Sequence, residues 1–268
     1  VAVFSILMSV NELPIYERLR ERARQIVSSH PEPDFYSDHP LANRESRQFY
    51  SKDSVIIRLK SCVSVHLEND FGHGMIHAEK VCLDAGSLMI IEADKADYSP
   101  DFTRRRIRVV QCAALLHDIY RKRKNHALHS ADFARDLLQS YPLTAPEVND
   151  IFLAIRNHEA FQDTTPPDTP EGQLVSDCLY DADKFRWGPD NFYDTLWDMV
   201  SFLNPPLSVF IARYPKGMES LARIKDTFRT ETGKKYGPQF IDIGLSIGRE
   251  LFHIIQTEFN DDISPPVR

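Results

Sequence analysis

Apolar residues recur at three- and four-residue spacing along most of this chain, a period that predicts helices. Ile15, Leu19, Ala23 and Ile26 follow it with Arg and Glu between them, an amphipathic helix to about Ser29. Ser9 and Glu12 stand ahead of it at capping-box spacing, and Pro14 falls near its first turn. Residues 31–50 are rich in Pro, Asp, Ser and Asn and read as a loop. Lys52 to Asn69 fits two periods. Val55, Ile57, Leu59, Val63, Val65 and Leu67 alternate like a strand, whereas Val55, Leu59, Cys62, Val63 and His66 share a helical face. A helix is the expectation, because the neighbouring elements are helical and no partner strand is evident.

Two glycines break the pattern over residues 71–74, and helices are then expected over 75–93, 102–118, 129–141, 146–158 and 174–185. Tyr120 to Asn125 is a short basic loop, and Gln162 to Gly172 is a Thr/Pro loop of the kind that lies over sites. Phe192, Leu196, Met199 and Val200 mark a further helix. Leu207 to Tyr214, Glu219 to Thr230 and Ile241 to Phe259 complete the series. The expected fold is therefore all-α in a single domain. Residues 1–52 form an N-terminal helix and loop on its core, 53–259 the helical domain and 260–268 a tail.

At 42% hydrophobic and 26% charged residues, the 268-residue chain has globular composition. A net charge of −7 argues against a general nucleic-acid surface. Cys62, Cys82, Cys112 and Cys178 sit among apolar residues without a C-x-x-C pair, so they read as reduced core thiols in a cytoplasmic protein. The apolar stretch Val1 to Met8 is too short to cross a bilayer and no basic region precedes it, so no membrane association is expected.

Candidate chemistry concentrates where the central helix ends. Ile107, Val109, Val110 and Cys112 to Leu116 make that helix apolar on nearly every face, and it delivers His117 and Asp118 side by side. A buried carboxylate needs a partner. Either a divalent cation takes both side chains, or His117 caps the helix while Asp118 pairs with Arg121 or Lys122. His77, His117, Asp118, Asp181 and Asp183 lie on three apolar helices. Two His and two Asp would suit Mn²⁺ or Mg²⁺, and equally Fe²⁺, Co²⁺, Ni²⁺ or Zn²⁺.

These residues resemble a family. His77-Ala78-Glu79-Lys80-Val81, Leu115-Leu116-His117-Asp118 and Asp181-Ala182-Asp183-Lys184 look like the three metal motifs of the HD-domain metal-dependent phosphohydrolases. Gly72 to His77 is similar to the family's opening Gly-His-Asp-x-x-His. Ala154 to His158 is similar to its helix ending in Asn-His, and Glu231 to Lys235 resembles a Thr-Glu-Thr stretch of one small bacterial branch. The chain departs from the pattern at Gly74, where the family has Asp, and at Phe185 to Gly188. The likeness spans about residues 53–259 and implies an HD-type helical bundle.

It also implies metal ligands at His77, His117, Asp118 and Asp183. Asp181, about 200° round the helix from Asp183, would face elsewhere and pair helices or support the ligands from behind. His126, His129 and His158 would make a second metal site if they were ligands. The reading adopted is that His126 contacts phosphate and that His129 and His158 stand behind the ligands. Arg121, Lys122, Lys124 and Lys184 are expected to bind phosphate. The activity implied is hydrolysis of a nucleotide or other small phosphate ester by metal-activated water. The alternatives are a di-iron HD-type oxygenase, with His129 and His158 as ligands, and a non-catalytic nucleotide-binding regulatory domain.

Overall fold

A computed structural model describes residues 14–66 and 74–259. Among these residues there are twelve α-helices and no strand, as the periodicity predicts. Helix α1 (Ile15–Ser29) buries Tyr16, Leu19, Ala23 and Ile26. The Ser9–Glu12 pair expected to cap it lies outside the described residues. Helix α4 (Ser54–His66) settles the ambiguous stretch as helix, with Val55, Ile56, Leu59 and Val63 on its buried face.

The centre is built from α5 (Met75–Lys95), α6 (Pro100–Leu116), α8 (Ala145–Arg156) and α9 (Pro170–Phe185), which pack on one another. Helix α7 (His126–Leu138) packs on α8. Their starts follow local chemistry. Ser99 accepts a hydrogen bond from the Phe102 amide ahead of Pro100, and the Thr144 amide donates to Glu147 in a capping box at α8. Every residue of α6 from Val109 to Leu116 is buried, so this helix is the spine of the fold. Cys82, Cys112 and Cys178 are free and buried in this core, and burial pushes their thiols up. No helix of the described residues is long and apolar enough to cross a membrane.

Three stretches depart from the sequence reading. Residues 31–50 are not a loop but hold α2 (Asp34–Asp38) and most of α3 (Pro40–Lys52). The buried face of α3 is Ala42, Ser46 and Tyr50, at four-residue spacing but too small and polar to register as an apolar stripe. Helix α3 lies close on α5 because Gly86 faces Ser46. A Cβ at residue 86 would fall on Ser46 Oγ and within 2.7 Å of Gln111 Nε2. That amide donates to Ser46 O at 3.2 Å and to Ser46 Oγ at 3.1 Å.

A π-helical turn (Asn191–Thr195) leads into α10 (Leu196–Leu203). Helix α11 (Leu207–Ile224) then runs unbroken through Pro215, where two shorter helices were expected. Proline removes one bond of the ladder, but Phe210, Tyr214, Leu221 and Ile224 continue one buried face across it. Helix α12 (Glu231–Glu258) starts ten residues before the predicted Ile241 and passes through Gly233, Gly237 and Pro238. Those glycines read as breakers yet are points of close approach. A Cβ on Gly237 would strike the Phe228 ring, and one on Gly233 would strike the Asp181 carboxylate.

The Gly86 contact makes a prediction. Alanine ordinarily favours a helix over glycine by up to about 1 kcal/mol, and overpacking costs about 1–3 kcal/mol. Gly86→Ala should therefore lower stability by about 1–2 kcal/mol in urea unfolding. An unchanged or more stable variant would show that α3 does not pack here.

Candidate metal centre

Five helix ends meet at one buried point. His77 comes from the first turn of α5, His126 from the first residue of α7, and Asp183 from the last turn of α9. His117-Asp118 and His158 immediately follow α6 and α8. The last two helices end in the same way. His117 Nδ1 lies 2.7 Å from the Ala114 carbonyl and His158 Nδ1 lies 2.6 Å from the Ile155 carbonyl, each three residues back. A carbonyl can only accept, so each Nδ1 carries the proton and each Nε2 turns a lone pair inward. Capping and inward presentation are thus one feature at His117, where the sequence offered them as rivals.

Asp118 stands between two groups. Its Oδ2 is 3.5 Å from His117 Nε2. His117 Nε2 is 3.4 Å from His77 Nε2, and Asp183 Oδ1 lies 3.3 Å from His77 and 3.7 Å from His117. The other oxygen, Asp118 Oδ1, is 3.2 Å from His126 Nε2 and 3.3 Å from His158 Nε2, and those two nitrogens are 3.3 Å apart. Two donor sets, His77–His117–Asp118 and Asp118–His126–His158, are compact enough to hold a cation each, with Asp118 common to both. Imidazole and carboxylate donors suit a divalent transition metal.

The electrostatics agree with a cation. Burial lowers the proton affinity of His117, but Asp118 and Asp183 raise it by more, so its pKa is raised. The same two carboxylates would also attract a cation. Burial works against the Asp183 carboxylate, yet Lys184, His117 and His77 hold its pKa well below the usual range. Lys184, itself buried, is ion-paired with Asp183. Burial lowers His158 despite the Asp118 charge, which keeps its imidazole neutral and able to ligate.

Asp181 faces the other way. It accepts from the Arg229 and Thr230 amides, both at 2.8 Å, and from Thr230 Oγ1 at 2.7 Å. Thr230 Oγ1 in turn accepts from the Gly233 amide to cap α12. Burial pushes the Asp181 carboxyl up to about 7 against those donors. Its place is a latch between α9 and α12, away from the cluster.

The other predicted positions divide. His126 sits beside Asp118 in the second donor set, where the sequence reading had it touching phosphate. Its Nε2 also accepts from Arg121 Nη1 at 2.8 Å, so a cation there competes with Arg121. His129, expected behind the ligands, is exposed because it lies on the far side of α7 from the centre of its buried stripe, Ala127, Ala131 and Ala134, whereas His126 sits at the stripe's edge. Lys122 and Lys124 are exposed and outside the wall of the cavity described next, whereas Arg121 of the same loop lines it.

A cavity of about 860 Å³ opens from the cluster, with His77, Asp118, Arg121, His158, Asp183 and Lys184 at its inner end. From the loop over 162–172 nothing reaches it; Ala160 and Phe161, just before, do. Asn157 pins that loop by bonding Thr165 O at 2.8 Å and Thr165 N at 2.9 Å. Sequence reasoning missed Arg186, which is buried and ion-paired with Asp84 and Asp190, the latter also 2.5 Å from Lys80. A signal existed in Asp84, a carboxylate seven residues beyond His77 on the same face of α5. Glu159, with Oε1 3.5 Å from His126 Nδ1, was missed as well.

Residues 75–186 match the HD domain family. No curated protein and no solved structure gives a significant match. Proteins of this family are generally metal-dependent hydrolases, and the buried His/Asp groups could hold such a metal.

The two aspartates of α9 should separate cleanly. Asp183→Ala should strip most of the bound metal while the chain stays folded. Asp181→Ala should keep its metal but lose about 2–4 kcal/mol of stability, because buried amides lose their acceptor. Metal analysis beside urea unfolding reads both, and the reverse pattern would show that Asp181 is the ligand.

Proposed function

We propose, from the premise that this chain is an HD-domain protein, that it is a metal-dependent phosphohydrolase acting on a nucleotide or other small phosphate ester. The observation that carries it is Asp118, with one carboxylate oxygen toward each of two donor sets at the closed end of a cavity. His77, His117, Asp118 and Asp183 would hold one cation, and Asp118, His126 and His158 a second. A cation held there supplies Lewis acidity and a water of lowered pKa.

The protein's own groups have separate tasks. His117 and His158 are fixed in ring orientation by their carbonyl partners, so their Nε2 atoms need no reorganisation on binding. Lys184 holds Asp183 ionised and in place. Arg121, with Nε 4.0 Å from Asp118 Oδ2 and its side chain on the cavity wall, is placed to take phosphoryl oxygens in a fork. Lys80 and Arg186 are held by Asp190 and Asp84, so they brace α5 against α9.

The second donor set also supports a di-iron oxygenase, with His126 in the place expected of His129. A panel of nucleoside mono-, di- and triphosphates and simple esters against Mn²⁺, Fe²⁺, Ni²⁺, Co²⁺, Mg²⁺ and Zn²⁺ separates the two. Phosphate release supports the hydrolase. Two irons with a visible absorption band and no phosphate release support the oxygenase.

Histidine substitutions test the pairing of ligands. Removing one catalytic metal ligand should lower phosphate release by at least about 100-fold. His126→Ala should do so and lower metal content, whereas His129→Ala should change neither. An effect at His129 with none at His126 would overturn the second donor set.

A further inference from the structure

We infer that the substrate is a phosphomonoester of a bulky apolar alcohol, and that the chamber beyond the metal cluster holds its hydrocarbon. This rests on the phosphohydrolase reading and deepens it. The chamber is far larger than a phosphate group needs. Beyond its inner end, the wall is chiefly apolar side chains of the π-helical turn, α10 and α11, among them Phe192, Val200, Phe210, Leu221 and Ile224. Tyr214 belongs to this wall through its ring, because its hydroxyl donates to the Gly248 carbonyl at 2.9 Å.

Few polar groups interrupt it. Asn191, Thr195, Ser220 and the Trp187 indole are the uncharged polar side chains of the wall; among the charged ones Arg186 is tied to Asp84 and Asp190, Glu159 is partly exposed, and Arg213 and Arg223 are exposed. A nucleobase carries several donors and acceptors, and burying them against this surface leaves most unpaired. An alkyl or aryl group loses nothing of that kind and gains by leaving water.

Phe161 is an independent sign. It is 54% exposed, yet it lines the chamber and sits at φ 62°, a backbone conformation bulky side chains rarely adopt. Arg223 lies over its ring at 4.4 Å. The loop that carries it is held by the Asn157–Thr165 pair, so the strain is built in close to His158. An aromatic ring kept in water at a strained position on a chamber wall is suited to meeting an apolar ligand.

The reaction is balanced by water alone. A P–O bond forms from the water oxygen, and the ester P–O bond breaks with its electron pair on the alcohol oxygen. That oxygen takes up a proton, and inorganic phosphate and the free alcohol result.

The test is a series of ethyl, butyl and hexyl phosphate, 1-naphthyl phosphate and the nucleoside monophosphates, with the full chain loaded with each metal. Calorimetric binding of the same esters to the protein as purified runs alongside. Each buried methylene contributes up to about fourfold, so kcat/KM should rise at least about tenfold from ethyl to hexyl phosphate. Binding should tighten in the same order, and 1-naphthyl phosphate should exceed every nucleotide. Phe161→Gly, which relieves the backbone strain, should fold at least as stably and lose most of the hexyl-over-ethyl preference. Met199→Ser, at a half-exposed wall position, is a second variant expected to reduce that preference. Hydrolysis that is flat with chain length, or fastest with nucleotides, overturns the apolar chamber and leaves the phosphohydrolase standing. Absence of hydrolysis with every ester and metal overturns the phosphohydrolase, and binding that still tightens with chain length then supports the chamber by itself.

Discussion

The interaction on which the rest depends is the sharing of Asp118 between imidazoles from four helices, inside an apolar bundle. An uncompensated buried carboxylate costs several kcal/mol, and here Asp118 and Asp183 lie close together. Lys184 offsets one, and Arg121 approaches the other from the rim. The imidazoles of His117, His126 and His158 stand within 3.5 Å of the Asp118 oxygens, where they can offset its charge as cations or as ligands of one. The proposed metal affinity would therefore come from the same charges that this core has to balance.

That balance asks for rigid surroundings. The histidines after α6 and α8 are tied to the carbonyls at their own helix ends, so orphan groups of the backbone become supports for ligands. Around them, Arg186 joins Asp84 of α5 to Asp190 beyond α9, and Tyr36 of α2 donates to Asp84 at 3.0 Å. Further out, Asp181 clamps the start of α12, and Gly233 gives it room. The chamber wall is less uniform, with a π-helical turn and Pro215 inside α11. The tied side chains sit around the two donor sets, and the irregular backbone sits along the chamber wall.

Much of this was legible from residue spacing. The apolar runs of α1, α5, α6, α8 and α9 place those helices within a few residues, and the three motifs lie within the stretch that matches the HD domain family. Where spacing failed at α3 and α12, the reason is the same; at α11 it was Pro215 inside a continuous helix. Helix α3 buries Ala42 and Ser46 in place of large residues, and α12 begins with glycines that are close contacts. Small residues that pack tightly look like breakers when only hydrophobicity is counted. Which of His126 and His129 faces the cluster depends on the inward face of α7. The helix starts at His126, three residues before the predicted His129, and its buried stripe through Ala127, Ala131 and Ala134 leaves His126 inside and His129 in solvent. The partners of Arg186 lie 102 and 4 residues away, and only the first distance hides an interaction from local pattern.

The central claim is that one carboxylate serves two cation positions. Anomalous diffraction at the manganese edge, from crystals grown with saturating Mn²⁺, tests it most directly. The account predicts two peaks flanking Asp118, one against His77, His117 and Asp183 and one against His126 and His158. A peak elsewhere on the molecule, or none at saturation, would contradict it.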